Sequence, residues 1–253
     1  QAGIRRDLRR FPGSTFNGDL TYYRAEQTRL NTLDLQAYSF SAGPSLRFGR
    51  TVVSPALAFD HVRLSEETYL RTRGVRLKVE RRVNKLLSLN GTFSTMFNEH
   101  VRTSDIPTAQ ERTGGEAGLK VGAQVTASPT QRVAVDVGYQ QRDARKLYNA
   151  YERNSLALTH SWLVGKGRFL LSGLALDRDR YRAPDLVIAN QERADDRARL
   201  SFTFGLPLGG LGKLLEPLLF TASYEYLQVN SNILNYAYAN NKVSGMLTYR
   251  WEH

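Results

Sequence analysis

The sequence predicts an all-β fold, an antiparallel up-and-down transmembrane β-barrel of about 12 to 14 strands. Three observations predict it. Segments of apolar/polar alternation recur from Thr15 to the C-terminus, each about 9–14 residues long, where globular strands centre on about 5–6. Their connections alternate between short turns and long polar loops, the plan of outer-membrane barrels. No run approaches the roughly 18 apolar residues of a spanning helix, so any crossing of a bilayer falls to strands. A soluble sandwich would also alternate, but it has no reason for strands this long or connections this asymmetric.

Residues 1–13 (Q-A-G-I-R-R-D-L-R-R-F-P-G) carry five charges and no period-2 pattern. They read as a linker, the end of a preceding domain or a frayed basic terminus, leaving 14–253 as the barrel domain. Alternation then begins. Phe16, Gly18, Leu20 and Tyr22 face one way, against Asn17, Asp19 and Thr21. Tyr38, Phe40, Ala42, Leu46 and Phe48 oppose Ser39, Ser41, Gly43, Ser45 and Arg47; after the turn Gly49-Arg50 come Val53, Pro55, Leu57 and Phe59. Pro44 and Pro55 each delete a ladder donor and sit awkwardly in strands.

Val75, Leu77 and Val79 oppose Arg76, Lys78 and Glu80, and Leu87, Leu89, Phe93 and Phe97 oppose Ser88, Asn90, Thr92 and Ser94. Ala117, Leu119, Val121, Ala123 and Val125 oppose Gly118, Lys120, Gly122 and Gln124. Val133, Val135, Val137 and Tyr139 oppose Asp136, Gly138 and Gln140, and Leu156, Leu158, His160 and Trp162 share the next apolar face. In 168–176 the parity stays open, because Leu170, Leu174 and Leu176 compete with Phe169 and Leu171. Ala198, Leu200, Phe202 and Phe204 oppose Arg197, Arg199, Ser201 and Thr203; Phe220, Ala222, Tyr224 and Tyr226 oppose Thr221, Ser223 and Glu225. The last strand sets Val243, Gly245, Leu247, Tyr249 and Trp251 against Ser244, Met246, Thr248 and Arg250. The count is about twelve strands of membrane-spanning length.

Short turns fall at Gly49-Arg50, 81–84, 128–131 and 165–167, and long polar loops at 98–113 and 177–192. Residues 64–68 are short where the rule wants length, and 207–217 the reverse. An even count ends the chain on the short-turn, periplasmic side of a bacterial outer membrane.

Composition is compatible. Hydrophobic residues are 41% of the 253 and mean hydropathy is −0.43, but barrel strands give only every second residue to lipid. Thirty-five Lys+Arg against 24 Asp+Glu leave +11. In a soluble domain this suggests a polyanion; in a barrel it means a cationic lumen or basic rims against lipid phosphate. The absence of cysteine excludes disulfides and thiolate metal sites. His61, His100, His160 and His253 are dispersed, and no phosphate-cradling loop or nucleophile–base motif stands out. The expectation is no enzyme, no metal, no cofactor and no nucleic-acid partner, although spacing leaves open a Ser/His pair meeting across strands.

Three groups are candidate functional residues. The first is the lumen-facing basic set Arg47, Arg76, Lys78, Lys120, Arg197, Arg199 and Arg250. They form either a cationic passage or, as we favour here, ion pairs across the lumen with Asp60, Glu80, Asp136 and Glu225. The second is the apolar connection carrying Leu208, Leu211, Leu214 and Leu215, an interfacial element, a plug or an apolar periplasmic turn. The third is the closing strand, whose Gly245, Leu247, Tyr249 and Trp251 fit the C-terminal signal read by the barrel-assembly machinery. Residues 242–250 would then form the seam with the first strand near Thr15–Tyr23. The charged runs 177–185 and 192–197 read as solvated loop or as a docking lid.

The last third carries R-Y-R at Arg180–Arg182, E-R-A-D-D-R at Glu192–Arg197 and G-L-G-K-L-L-E-P-L-L around Pro217. Y-E-Y at Tyr224–Tyr226 and S-N-I-L-N-Y-A-Y at Ser231–Tyr238 follow, and Y-L-R-T-R-G-V lies earlier, at Tyr69–Val75. This pattern resembles the C-terminal barrel domain of the surface lipoprotein assembly modifiers, outer-membrane proteins of Gram-negative bacteria. The resemblance implies a barrel that assists translocation or surface display of exported, lipoprotein-like protein cargo. It also implies as partners the lipid bilayer, the barrel-assembly machinery, the exported cargo and a helical-repeat periplasmic domain, N-terminal or separate. The chain departs from that family in having no 34-residue repeat and about twelve strands instead of fourteen. It also ends in Trp251-Glu252-His253 where a terminal Phe is usual. The alternative is a channel for export of anionic polysaccharide or diffusion of anionic solutes.

Overall fold

A computed structural model describes residues 2–7, 12–25, 34–165, 167–212 and 215–249. The chain folds as an antiparallel up-and-down transmembrane β-barrel. Thirteen described strands follow one another in a single sheet in sequence order. They are β1 (Ala2–Asp7), β2 (Thr15–Ala25), β3 (Leu35–Phe48), β4 (Thr51–Leu64), β5 (Glu67–Arg82), β6 (Leu87–His100) and β7 (Gly114–Ser128). Next come β8 (Gln131–Arg142), β9 (Tyr151–Gly165), β10 (Arg168–Tyr181), β11 (Ala194–Pro207), β12 (Leu218–Ser231) and β13 (Tyr238–Tyr249).

Residues paired directly across a ladder point to the same face, so register sorts the side chains. One apolar row runs Leu20, Phe40, Phe59 across β2–β4. Another runs Leu77, Phe93, Leu119, Tyr139 across β5–β8, and a third runs Leu158, Leu174, Leu200, Tyr226 across β9–β12. The same registers put Ser, Thr, Gly and charged residues on the opposite, lumenal face. The fold is apolar outside and polar inside. Among the described residues, six buried side chains are apolar and nine polar, whereas Leu57, Leu119 and Val137 stand more than half exposed on the apolar face. Only lipid makes that distribution stable.

Three expectations are corrected. The sheet begins before the alternation does. Ala2–Asp7 pairs with β2 from Ala2↔Leu20 to Asp7↔Thr15, and its charges had hidden the period. The expected seam between the closing strand and Thr15–Tyr23 does not form, because β2 is flanked by β1 and β3. Among the described residues β13 has only β12 as a ladder neighbour. Finally, both charged runs are part strand: β10 extends to Tyr181 and β11 starts at Ala194. Their Asp and Arg residues alternate between faces, so a real period-2 pattern looked like a polar loop.

The open parity of 168–176 is resolved by neighbours. Leu170, Leu174 and Leu176 pair with Trp162, Leu158 and Leu156 and face outward. Phe169 takes the lumenal side, where its ring covers Gly205; a Cβ there would collide with the ring. Pro44 and Pro55 are accommodated by a gap. The β3–β4 register runs to Ala42↔Leu57 and resumes at Leu46↔Val53, where Ser54 Oγ donates to Ser45 Oγ at 3.0 Å. Gly43 lies against the Pro55 carbonyl so closely that no side chain fits. The turn Ser65-Glu66 has positive φ at both residues (46° and 72°), as a two-residue hairpin requires.

The two faces should respond oppositely to one charge. Leu158→Arg, on the outward face, should cost about 2–4 kcal/mol of folding free energy into vesicles. Ala157→Lys, its lumenal neighbour, should cost well under half as much. Urea titration of tryptophan fluorescence checks both, and equal costs would contradict the assigned faces.

Candidate functional site

The lumenal wall carries two unlike ends. At the end where the long connections meet, β9, β10 and β11 place Arg153, Asp179, Asp195 and Arg197 on one face. Asp179 is the register partner of both Arg153 and Asp195. Two carboxylates side by side repel, yet both are almost fully buried (0% and 1% exposed). Each is held by a guanidinium fork. Arg153 Nε and Nη2 donate to Asp179 Oδ1 and Oδ2 at 2.7 and 3.1 Å. Arg193 Nε and Nη2 donate to Asp195 Oδ1 and Oδ2 at 3.0 and 2.5 Å. Arg197 Nη2 adds a second cation to Asp179, while its Nε is buried without a hydrogen-bond partner. Planar bidentate pairing is the strong form of such contacts.

Aromatic rings complete the ladder. The Arg193 guanidinium lies 3.6 Å from the Tyr236 ring centroid and 4.5 Å from that of Tyr181. Arg153 lies 5.0 Å from that of Tyr151, which is 5.4 Å from Tyr181. The connections above are tied edge to edge. Arg145 N donates to Thr113 O at 2.9 Å and Arg182 N to Ala150 O at 3.1 Å. Arg182 pairs with Asp143 at 2.9 Å, and Asn232 Nδ2 donates to Glu192 O at 2.8 Å. Tyr148 donates to Glu111, and that bond with burial pushes its phenol up to about 12.

The short-turn end is basic. A lumenal recess of about 370 Å³ is lined by Arg47, Arg50, Arg82, Glu80, Asn90 and Gln124. Glu80 is taken by Lys78 at 2.8 Å. Arg47, Arg82 and the nearby lumenal Arg132 are exposed, and among the described residues none has a carboxylate partner.

Of the sequence-derived basic set, Arg47, Arg76, Lys78, Lys120, Arg197 and Arg199 sit on the lumenal face by register; Arg250 lies outside the described residues. Their pairing differs from expectation. It runs along the wall, not across the lumen: Lys78 with Glu80 on one strand, Lys120 with Asp136 and Arg199 with Glu225 on adjacent strands, both at 3.9 Å. Adjacent strands are about 4.8 Å apart, within side-chain reach, whereas the far wall is not. Asp60 and Arg76 have no ion-pair partner among the described residues. Asp179, Arg193 and Asp195 lie in the charged runs that the sequence presents as loop or lid, and only Arg153 stands outside them; the signal for a strand was the D-R-D-R alternation itself.

Gly245, Leu247 and Tyr249 lie on the outward face of β13, opposite Ala222, Phe220 and Leu218; Trp251 lies outside the described residues. The 207–217 connection is a four-residue 3-10 turn, Leu208–Leu211, followed by a turn at Leu215. Leu208 and Leu215 are half-buried, Leu211 belongs to that turn by its backbone, and Leu214 lies outside the described residues.

No family model matches the chain, and no curated protein matches it. The likeness to surface lipoprotein assembly modifiers therefore rests on its motifs. Among solved structures the chain is similar to OccAB3 of Acinetobacter baumannii, an outer-membrane barrel, with a TM-score of 0.51 at 11% identity. The match covers 95% of this chain and 65% of that one. At this identity the likeness is one of fold.

Asp179→Asn should destabilise the barrel by about 3–5 kcal/mol, because Arg153 and Arg197 lose their buried counter-charge. Glu80→Gln, in a half-exposed pair, should cost no more than about 1 kcal/mol. The shift in urea midpoint, read on folded protein in detergent, distinguishes them.

Proposed function

We propose that this barrel is a bacterial outer-membrane channel through which small anionic solutes diffuse. The observation that carries the reading is the asymmetry of the lumenal wall. Among the described residues Arg47, Arg82 and Arg132 at the short-turn end lack carboxylate partners, while Arg153, Arg193 and Arg197 at the long-loop end are held by buried aspartates. Unpaired cations in a wall of low dielectric concentrate anions at the mouth. Conduction also needs a solute to leave, so binding must stay weak and distributed. The paired ladder meets that need: its guanidiniums remain oriented, but their charge is already largely spent on Asp179 and Asp195. The porin-like fold of the OccAB3 neighbour supports a solute channel. In this reading the long connections face the exterior and the short turns the periplasm, and the chain acts by selection instead of chemistry.

A second reading keeps the barrel as an aid to translocation or surface display of lipoprotein-like cargo. It has motif resemblance behind it.

Planar-bilayer recordings separate the two. A channel gives steady conductance that favours anions. Replacing Arg47, Arg82 and Arg132 together by Gln should lower the anion-to-cation permeability ratio by about tenfold, the low end of electrostatic focusing in charged clefts. A silent or briefly flickering chain without ion preference would sink the channel reading in favour of a gated translocator.

A further inference from the structure

The outward face of β5 breaks its own pattern. Below its upper rim it presents Val75, Leu77 and Val79; at the rim, in the segment Y-L-R-T-R-G-V, it presents Arg71 and Arg73. Register leaves no doubt about the face. Arg73 is the partner of Phe59 and Phe97, and Arg71 of His61 and Glu99. Both arginines are exposed, on a surface whose lower rows meet hydrocarbon.

Their surroundings form an aromatic shelf at one height. Tyr22 and Tyr38 lie with ring centroids 4.9 Å apart, Tyr38 and His61 6.4 Å, and Phe40 and Phe59 6.4 Å. The Arg73 guanidinium lies 5.4 Å from the Phe97 ring centroid. Aromatic girdles of this kind sit at the headgroup level of a bilayer. The shelf holds one acid, Glu99 beside Arg71, and among the described residues it makes no ion pair with either arginine. The comparison on the same outward rim is Arg178, which is locked by Asp196 through two hydrogen bonds of 2.7 and 3.3 Å. Two guanidiniums without an ion-paired carboxylate among the described residues, set beside His61, Phe59 and Phe97 and above exposed Leu57, Val75 and Phe93, have the layout of an anionic headgroup site with an acyl-chain floor.

We propose that Arg71 and Arg73, with His61 beside them, bind the phosphate of a lipid in the leaflet at the long-loop end. The guanidinium forks take phosphate oxygens, and the acyl chains pack on Leu57, Val75 and Phe93. This site is on the outside of the wall and is independent of what passes through the lumen.

Native mass spectrometry of the full chain in detergent tests it, with bisphosphorylated lipid A as probe and phosphatidylcholine as the zwitterionic comparison. Wild-type protein should retain lipid A in preference to phosphatidylcholine. Arg71→Gln with Arg73→Gln should weaken retention about 25-fold, from roughly fivefold for each base near an anionic surface. Arg178→Gln should leave retention unchanged. Heat-modifiable gel mobility confirms that each variant is folded, and the single variants R71Q and R73Q give the same readout if the double one is not. Equal retention by the double variant and wild type would overturn the proposal. So would displacement of lipid A by millimolar inorganic phosphate, which would make this a free-phosphate site without an acyl floor.

Discussion

Everything in this molecule depends on lateral hydrogen bonding between neighbouring strands. A strand whose outer side chains lie in hydrocarbon has no water to satisfy its amides, so each must bond to the strand beside it. Ladders of eleven to fourteen register pairs between successive strands from β2 to β13 meet that demand. Where a ladder cannot be complete, the chain marks the place. Pro44 and Pro55 have no donor to give, and the gap they leave between β3 and β4 is spanned by a serine–serine bond and by a glycine with no room for a side chain.

Register is also what turns a set of scattered charges into a site. Asp179 and Asp195 are sixteen positions apart but become neighbours when β10 meets β11. Their burial would be prohibitive alone; three arginines from β9, β11 and the connection before β11 make it tolerable. The same strands then cannot slip, since a shift of one residue would send both carboxylates into lipid. Electrostatics thus reinforces the register that creates it.

The two ends of the wall differ because opposite tasks fall to them. Long connections at one end are bonded to each other and to the ladder beneath, which gives a stiff rim with its charges matched. Short turns at the other end leave arginines projecting into open volume. The same contrast of matched and unmatched charge recurs outside, between Arg178 with its aspartate and the Arg71–Arg73 pair with no ion-paired carboxylate among the described residues. In both places the unmatched cations are the ones available to a phosphate or carboxylate from elsewhere.

The barrel was legible in the sequence because side-chain alternation has a period of two whatever lies beside a strand. Leu156–Trp162 and Phe220–Tyr226 declare their faces without any partner. Legibility failed where local pattern was ambiguous: at Phe169–Leu171, where both faces carry large apolar residues, and at 177–181, where every residue is polar or charged. Neighbours decided these, since Leu170 faces lipid only because Trp162 and Phe204 do. The sequence by itself determined the architecture, the apolar exterior and the identity of most lumenal bases. Only the tertiary structure decided which charges meet. Ion pairing depends on stagger between strands, and stagger is a property of the assembled sheet that no single strand contains.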